Sequence, residues 1–258
     1  MPRYFMLLAY NGAPYHGWQS QPNAISVQQT VESALATILQ TPTPIVGAGR
    51  TDAGVNARYM VAHFDSPTPI YDTKSFLRSL NILVGKDIAI YAVTKVHDSA
   101  HARFDATERS YRYFITDRKS PFDYNYTWLY TNHLDFDLMN EAAAILLDVE
   151  DFTSFAKLHT DNKTNICHVK KALWMPADTD NGHTHIFEIT ADRFLRNMVR
   201  AVVGTLIDVG RGKTDIEAFR QIILAKNRCS AGTSMPAHAL YLWDIKYPYY
   251  TPDDNNAF

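Results

Sequence analysis

The stretch Gly47-Ala48-Gly49-Arg50-Thr51-Asp52-Ala53-Gly54 limits the folding options of this chain more than any other. Three glycines within eight residues suit neither a helix interior nor a strand interior. Each permits a backbone conformation or a close approach that a Cβ would forbid. The short apolar piece Ile45-Val46 leads into this loop, which carries a carboxylate, Asp52, two residues after an arginine, Arg50. Read as a plain tight turn, the pair is a surface ion pair. Read as a close-approach loop, it presents a carboxylate to a ligand. Two familiar glycine loops do not fit. No Gly-Lys-Ser/Thr follows, so it is not a phosphate loop. Asp52 stands where the dinucleotide fingerprint needs its third glycine.

Around the loop, hydrophobic periods alternate between strand and helix. Residues 3–10 read as a strand and 11–24 as a loop rich in Gly, Pro, Asn and Gln. Ser26-Val27-Gln28-Gln29 has capping-box form, and Val27, Val31, Leu35 and Ile38 follow at helical spacing, so a helix is expected over 26–40. Strands are expected over 57–65 and 88–97, with a helix over 73–84 between them. Beyond residue 98 the pattern predicts strands near 108–116, 166–175, 184–190 and 240–247. It predicts helices near 137–147, 194–209 and 215–225. Interleaved strands and helices on both sides of 98/99 indicate an α+β protein in two parts, 1–98 and 99–258. The polar tail Tyr249–Phe258 reads as a fraying end.

Composition removes several function classes. With 258 residues, 46% hydrophobic and 20% charged, the chain is neither disordered nor fibrous. No run approaches the ~20 apolar residues of a membrane span. The N-terminus reads as a first strand, not a secretion signal. Two cysteines, Cys167 and Cys229, are too few for a disulfide framework and make a reducing cytoplasmic setting the expectation. They read as a buried hydrophobe or a surface thiol. A net charge of −2 argues against a protein coated in basic charge, though not against a local basic cleft. His97/His101 and His183/His185 lack partners at metal-ligand spacing, so no metal is expected.

Two arginine-rich segments remain. His101-Ala102-Arg103-Phe104 is followed by Arg109-Ser110-Tyr111-Arg112-Tyr113. On a strand, Arg109, Tyr111 and Tyr113 share one face. Aromatics among arginines suit RNA, with rings stacking on bases and guanidinium groups taking phosphates. A sheet face packed under a helix, with arginines reaching outward, fits equally. In Arg193-Phe194-Leu195-Arg196-Asn197-Met198-Val199-Arg200, a helical winding groups Leu195, Met198, Val199, Val202 and Leu206 on an apolar arc. Arg196 and Arg200 then share an edge suited to phosphate or carboxylate binding, or to simple solvation.

Taken together, these segments resemble the TruA-type tRNA pseudouridine synthase family over nearly the whole chain. The resemblance rests on Tyr10-Asn11-Gly12, Gly17-Trp18-Gln19-Ser20-Gln21-Pro22 and Gly49-Arg50-Thr51-Asp52-Ala53-Gly54-Val55. It continues through His101–Phe104, Arg109-x-Tyr111-x-Tyr113, Phe194-Leu195-x-x-Met198-Val199-Arg200 and Pro236-Ala237-His238-x-Leu240-Tyr241-Leu242. The resemblance implies two similar sheet-plus-helix halves related by a pseudo-twofold, with a basic cleft between them, and a homodimer. It implies cofactor-free conversion of uridine to pseudouridine at positions 38, 39 and 40 of the tRNA anticodon stem-loop. Asp52 would be the catalytic aspartate, with Arg50 beside it in base flipping. Tyr111 would cover the target base, and Arg200 would ion-pair with the aspartate. His101, Arg103, Phe104, Arg109, Arg112 and Arg196 would contact the RNA, with the arginines lining one cleft. Asn56 stands where the family usually has His, and Ala239 where it usually has Gly. A tRNA-binding protein without catalysis is the alternative that the same segments would serve.

Overall fold

The computed structural model describes residues 1–157, 164–178 and 182–252. The chain is α+β and forms two compact units. The first comprises Met1–Thr107 and the segment from Leu242, and the second Glu108–Tyr241.

In the first unit, β1 (Arg3–Tyr10) lies between β3 (Asn56–Asp65) and β4 (Ile88–Lys95), antiparallel to both. The two-residue β2 (Val46–Gly47) pairs with β3. Helices α1 (Val27–Leu39) and α2 (Thr73–Leu83) follow the expected apolar spacing to within a residue or two. Ser26 caps α1, its hydroxyl accepting from Gln29 N at 3.2 Å. Strand β1 is buried on both faces, because successive side chains point opposite ways and both sides are covered. On one face Tyr4 stacks on Phe64, which stacks on Phe76 of α2. On the other, Phe5 meets Tyr247 and Tyr250 at 5.2 and 5.1 Å.

That second contact ties 99–107 and the C-terminal segment to the same unit as 1–98. Tyr247 OH donates to Ala102 O at 2.6 Å, and Thr107 N donates to Lys246 O at 2.8 Å. The tail does not fray at its start, since Tyr250 is buried against Phe5. The rest of that expectation, 253–258, lies outside the described residues.

In the second unit, β8 (Thr184–Ala191) runs antiparallel to both β5 (Glu108–Thr116) and β7 (Val169–Pro176). The short β6 (Trp128–Leu129) pairs parallel with the end of β5, making the strand pairing mixed. Its helices are α3 (Phe136–Ile145), α4 (Met198–Gly210) and α5 (Ile216–Leu224). Strand β9 (Leu240–Lys246) carries the chain from the second unit back into the first. The paired histidines have structural partners: His183 Nδ1 lies 2.8 Å from Asp117, and His185 stacks on Phe136. Cys167 is buried and Cys229 exposed.

One expected helix is shortened. The predicted 194–209 begins at Met198, because Asn197 takes a left-handed φ of 65° and is held by its Nδ2 on Ser234 Oγ at 2.6 Å. Arg196 and Leu195 therefore precede the helix, and Arg196 does not share a helical edge with Arg200.

Helix α4 is buried along almost its whole length, and Gly204 lets other backbone pack against it. A Cβ on Gly204 would sit 1.8 Å from Thr233 O. Gly204→Ala is expected to push the 231–235 segment off the helix and destabilise the protein by about 1–3 kcal/mol or more. A denaturant-unfolding midpoint shift measures this.

Candidate active site

The Asp52 loop is held from beneath by the segment that follows β1. Gly12 and Gly17 make contacts no other residue could make. A Cβ on Gly12 would lie 2.2 Å from Val55 O, and one on Gly17, where φ is +92°, 2.5 Å from Thr51 O. Around these approaches the two segments exchange hydrogen bonds. Trp18 N donates to Thr51 O at 3.2 Å and Gly54 N to Tyr15 O at 3.4 Å. Tyr10 OH and Thr51 Oγ1 are 2.9 Å apart. Gly47 packs against the Trp18 indole, where a Cβ would lie 2.5 Å from the ring, and Val55 N closes a turn onto Asp52 O at 3.1 Å. Both backbone and side chain of Thr51 are thus tied down. Asp52 next to it is half-buried, and Arg50 is exposed. The departure at Asn56 has a structural role: its Oδ1 accepts Gly12 N at 2.8 Å, so it locks the same interlock.

The His101–Phe104 segment also lies in the first unit, above β3. His101 Nδ1 accepts from the N–H groups of Arg103 (3.1 Å) and Phe104 (3.2 Å). His101 N donates to Asp105 Oδ2 at 2.7 Å. Below it His63, on β3, accepts Ala102 N at 3.1 Å and meets the His101 ring edge-on at 4.6 Å. Arg103 and Phe104 stand outward, with Phe104 76% exposed, its ring 4.3 Å from that of His101. An exposed phenylalanine beside an exposed arginine is a surface on which a base could stack. His63 was not singled out by the sequence reading. A buried histidine inside a strand carries no distinguishing pattern until the loop it supports is seen.

In the second unit, Arg109, Tyr111 and Tyr113 share one face of β5, as alternation predicts. Tyr111 is buried, edge-on to Phe194 at 5.0 Å, and Arg109 Nη1 donates to Asp192 O at 2.7 Å. Tyr113 is core rather than surface. Arg112 points from the opposite face. It forms an ion pair with Glu188 at 2.6 Å, and Lys171 reaches the same carboxylate at 2.5 Å. Burial pushes the Glu188 carboxyl up, but hydrogen bonds from Lys171 and Arg112 outweigh it and hold the group below its ordinary range. The two-residue period of a strand thus puts Arg112 on the face of β5 opposite Arg109 and Tyr111. Arg200, in the first turn of α4, donates from Nε to Met235 O at 2.5 Å and accepts Met235 N on its own carbonyl at 3.1 Å. Arg196 is exposed, its carbonyl accepting Lys157 N at 3.0 Å. Ala239, the second departure, is fully buried and fits where it stands.

A family model described as tRNA pseudouridine synthase matches residues 142–248. The chain is 55% identical to tRNA pseudouridine synthase A of Parabacteroides distasonis, over 96% of this chain and 97% of that protein. It is 55% identical to the protein of the same name in Porphyromonas gingivalis, over 96% and 98%. A more distant relative of that name, from Chlamydia abortus, is 38% identical over 99% and 97%.

The support beneath His101 makes a pH prediction. Burial, with Arg3 and His101 nearby, lowers His63 to about 4, against which Asp65 and Asp105 pull weakly upward. Burial likewise lowers His101. Each ring accepts hydrogen bonds at Nδ1, so each must be neutral there. The unfolded chain takes up the proton first as pH falls. The contribution is full above about 6.5 and is lost as pH falls toward about 4. The thermal midpoint is expected to drop across that window. His63→Asn, which keeps an acceptor near the Nδ1 position but does not titrate, should be less stable at pH 7.5 and lose less on acidification.

Proposed function

The chain belongs to the tRNA pseudouridine synthase A family, and from that we propose that it converts uridine to pseudouridine in the tRNA anticodon stem-loop, at positions 38–40, with Asp52 as the essential carboxylate. The observation that carries the assignment of Asp52 is the interlock of Gly12 and Gly17 with Thr51 and Val55, which holds a half-buried carboxylate on a fixed backbone. A group that must meet one sugar carbon needs such fixing, because misplacement by about 1 Å can cost about 100-fold in rate.

The reaction breaks the bond from C1′ of ribose to N1 of uracil, turns the base, and forms a bond from C1′ to C5. The C5 proton leaves and N1 gains one, so atoms balance without redox change or added energy. A carboxylate can assist departure of the base by attack or by deprotonation at the sugar. Arg50, exposed beside it, suits the space that the flipped base leaves. Tyr111 offers a fixed ring to cover the base, since Phe194 holds its edge. Flipping costs a few kcal/mol, which such contacts offset. Arg200 is the cation assigned to the carboxylate. A guanidinium partner in a water-poor site keeps a carboxylate ionised. His101, Arg103, Phe104, Arg109 and Arg196 are assigned to the RNA. Arg112 is assigned to the ion pair with Glu188. The same reading includes a basic cleft between two similar halves, a homodimer, no cofactor, and a cytoplasmic setting.

On an unmodified tRNA transcript without cofactor, the wild type should form pseudouridine, and Asp52→Asn should lose at least about 10³-fold in rate while still binding tRNA. Binding without product in the wild type would identify a non-catalytic tRNA binder instead. The affinity should also fall steeply with salt. Each phosphate contact adds about 0.7–0.9 to the slope of log affinity against log salt, and a slope near zero would refute phosphate-led docking.

A further inference from the structure

We propose that Arg228 and Ser234 are positioning residues for Arg200, acting through the strap 228–235 that crosses the start of α4. The inference rests on the assignment of Arg200 to the reaction. A guanidinium at the end of a flexible side chain is a poor electrostatic partner unless its plane is fixed. Here the fixing group is a backbone carbonyl, Met235 O, which accepts Arg200 Nε at 2.5 Å while Met235 N donates to Arg200 O at 3.1 Å. The orientation of Arg200 therefore depends on the position of Met235.

Met235 lies in no helix or strand, so beyond its own N–H on Arg200 O its place depends on how the residues before it are held. Ser234 Oγ, one residue earlier, accepts from two donors on either side of the strap: Asn197 Nδ2 at 2.6 Å and Arg228 Nη2 at 2.9 Å. Arg228 also donates from Nη1 to Gly232 O at 3.1 Å. Gly232 N in turn donates to Thr205 Oγ1 at 2.9 Å, and Gly204 lets Thr233 O lie directly on the helix. The strap is thus pinned at Gly232, Thr233 and Ser234, and it delivers the Met235 carbonyl to Arg200. Asn197, whose left-handed backbone starts α4, is pinned by the same hydroxyl. One serine oxygen therefore joins the helix start to the strap.

The test is single-turnover pseudouridine formation at saturating enzyme, with tRNA affinity and thermal midpoint measured on each variant. Arg228→Met and Ser234→Ala should each lower the rate about 10- to 100-fold with tRNA affinity changed less than about twofold. Ser234→Thr, which keeps the hydroxyl, should retain most of the rate. In an Arg200→Ala background, adding Arg228→Met should cost little more, because the residue it acts through is already gone. A slow Arg200→Ala enzyme with full-rate Arg228→Met and Ser234→Ala enzymes would overturn this inference alone. So would a full multiplicative loss in the double variant. Arg200→Ala at the wild-type rate would overturn both this inference and the role given to Arg200. If Arg228→Met does not fold, the Ser234→Ala and Ser234→Thr pair decides.

Discussion

The backbone-to-backbone approach of the segment after β1 to the Asp52 loop is the constraint on which the candidate site depends. A loop with three glycines has little reason of its own to hold one shape, since glycine loses more conformational freedom on ordering than any other residue. Here the order is imposed from outside. Gly12 and Gly17 let one main chain lie on another, and Thr51 is held through both its carbonyl and its hydroxyl. The Trp18 indole against Gly47 closes the same assembly from the side. Asp52 inherits a defined backbone position while its side chain stays half-buried and reachable.

The second unit solves the same problem at Arg200 with different parts. There the flexible element is a long side chain rather than a loop, and the restraint is a strap whose own position is set by Ser234, Arg228 and a glycine on α4. In both places small residues permit contact and a few hydrogen bonds choose the geometry. The His101–Phe104 segment follows the pattern in a third form. Two neutral imidazoles accept backbone N–H groups, which frees Arg103 and Phe104 to face outward. This arrangement depends on the histidines being uncharged, which burial favours.

Much of the fold was legible because it follows from local periodicity. The α1 helix could be read from Ser26 and the spacing of Val27, Val31 and Leu35, and β5 from its alternation. The misreadings have physical causes. The helix expected from 194 starts at 198 because Ser234, far along the chain, captures Asn197, and no window of local sequence contains that bond. The tail looked polar enough to fray, yet Tyr250 is buried on Phe5, a contact across almost the whole sequence. The two-residue strands β2 and β6 are too short to show a period at all.

At the site, local spacing alone assigns each chemistry-bearing residue to its kind of element. Asp52 is in a glycine loop, Tyr111 is on a strand face with Arg109, and Arg200 is in a helix. These are matters of local spacing and backbone freedom. Alternation also puts Arg112 on the face opposite Tyr111, where Glu188 of the paired strand β8 holds it. What holds these groups in place emerges only in the folded chain: Gly12 and Gly17 under the Asp52 loop, His63 under His101, and the strap on Arg200. Those restraints are backbone contacts and hydrogen bonds between segments far apart in sequence. Their energies depend on distances of a few tenths of an ångström, which a string of residues does not contain.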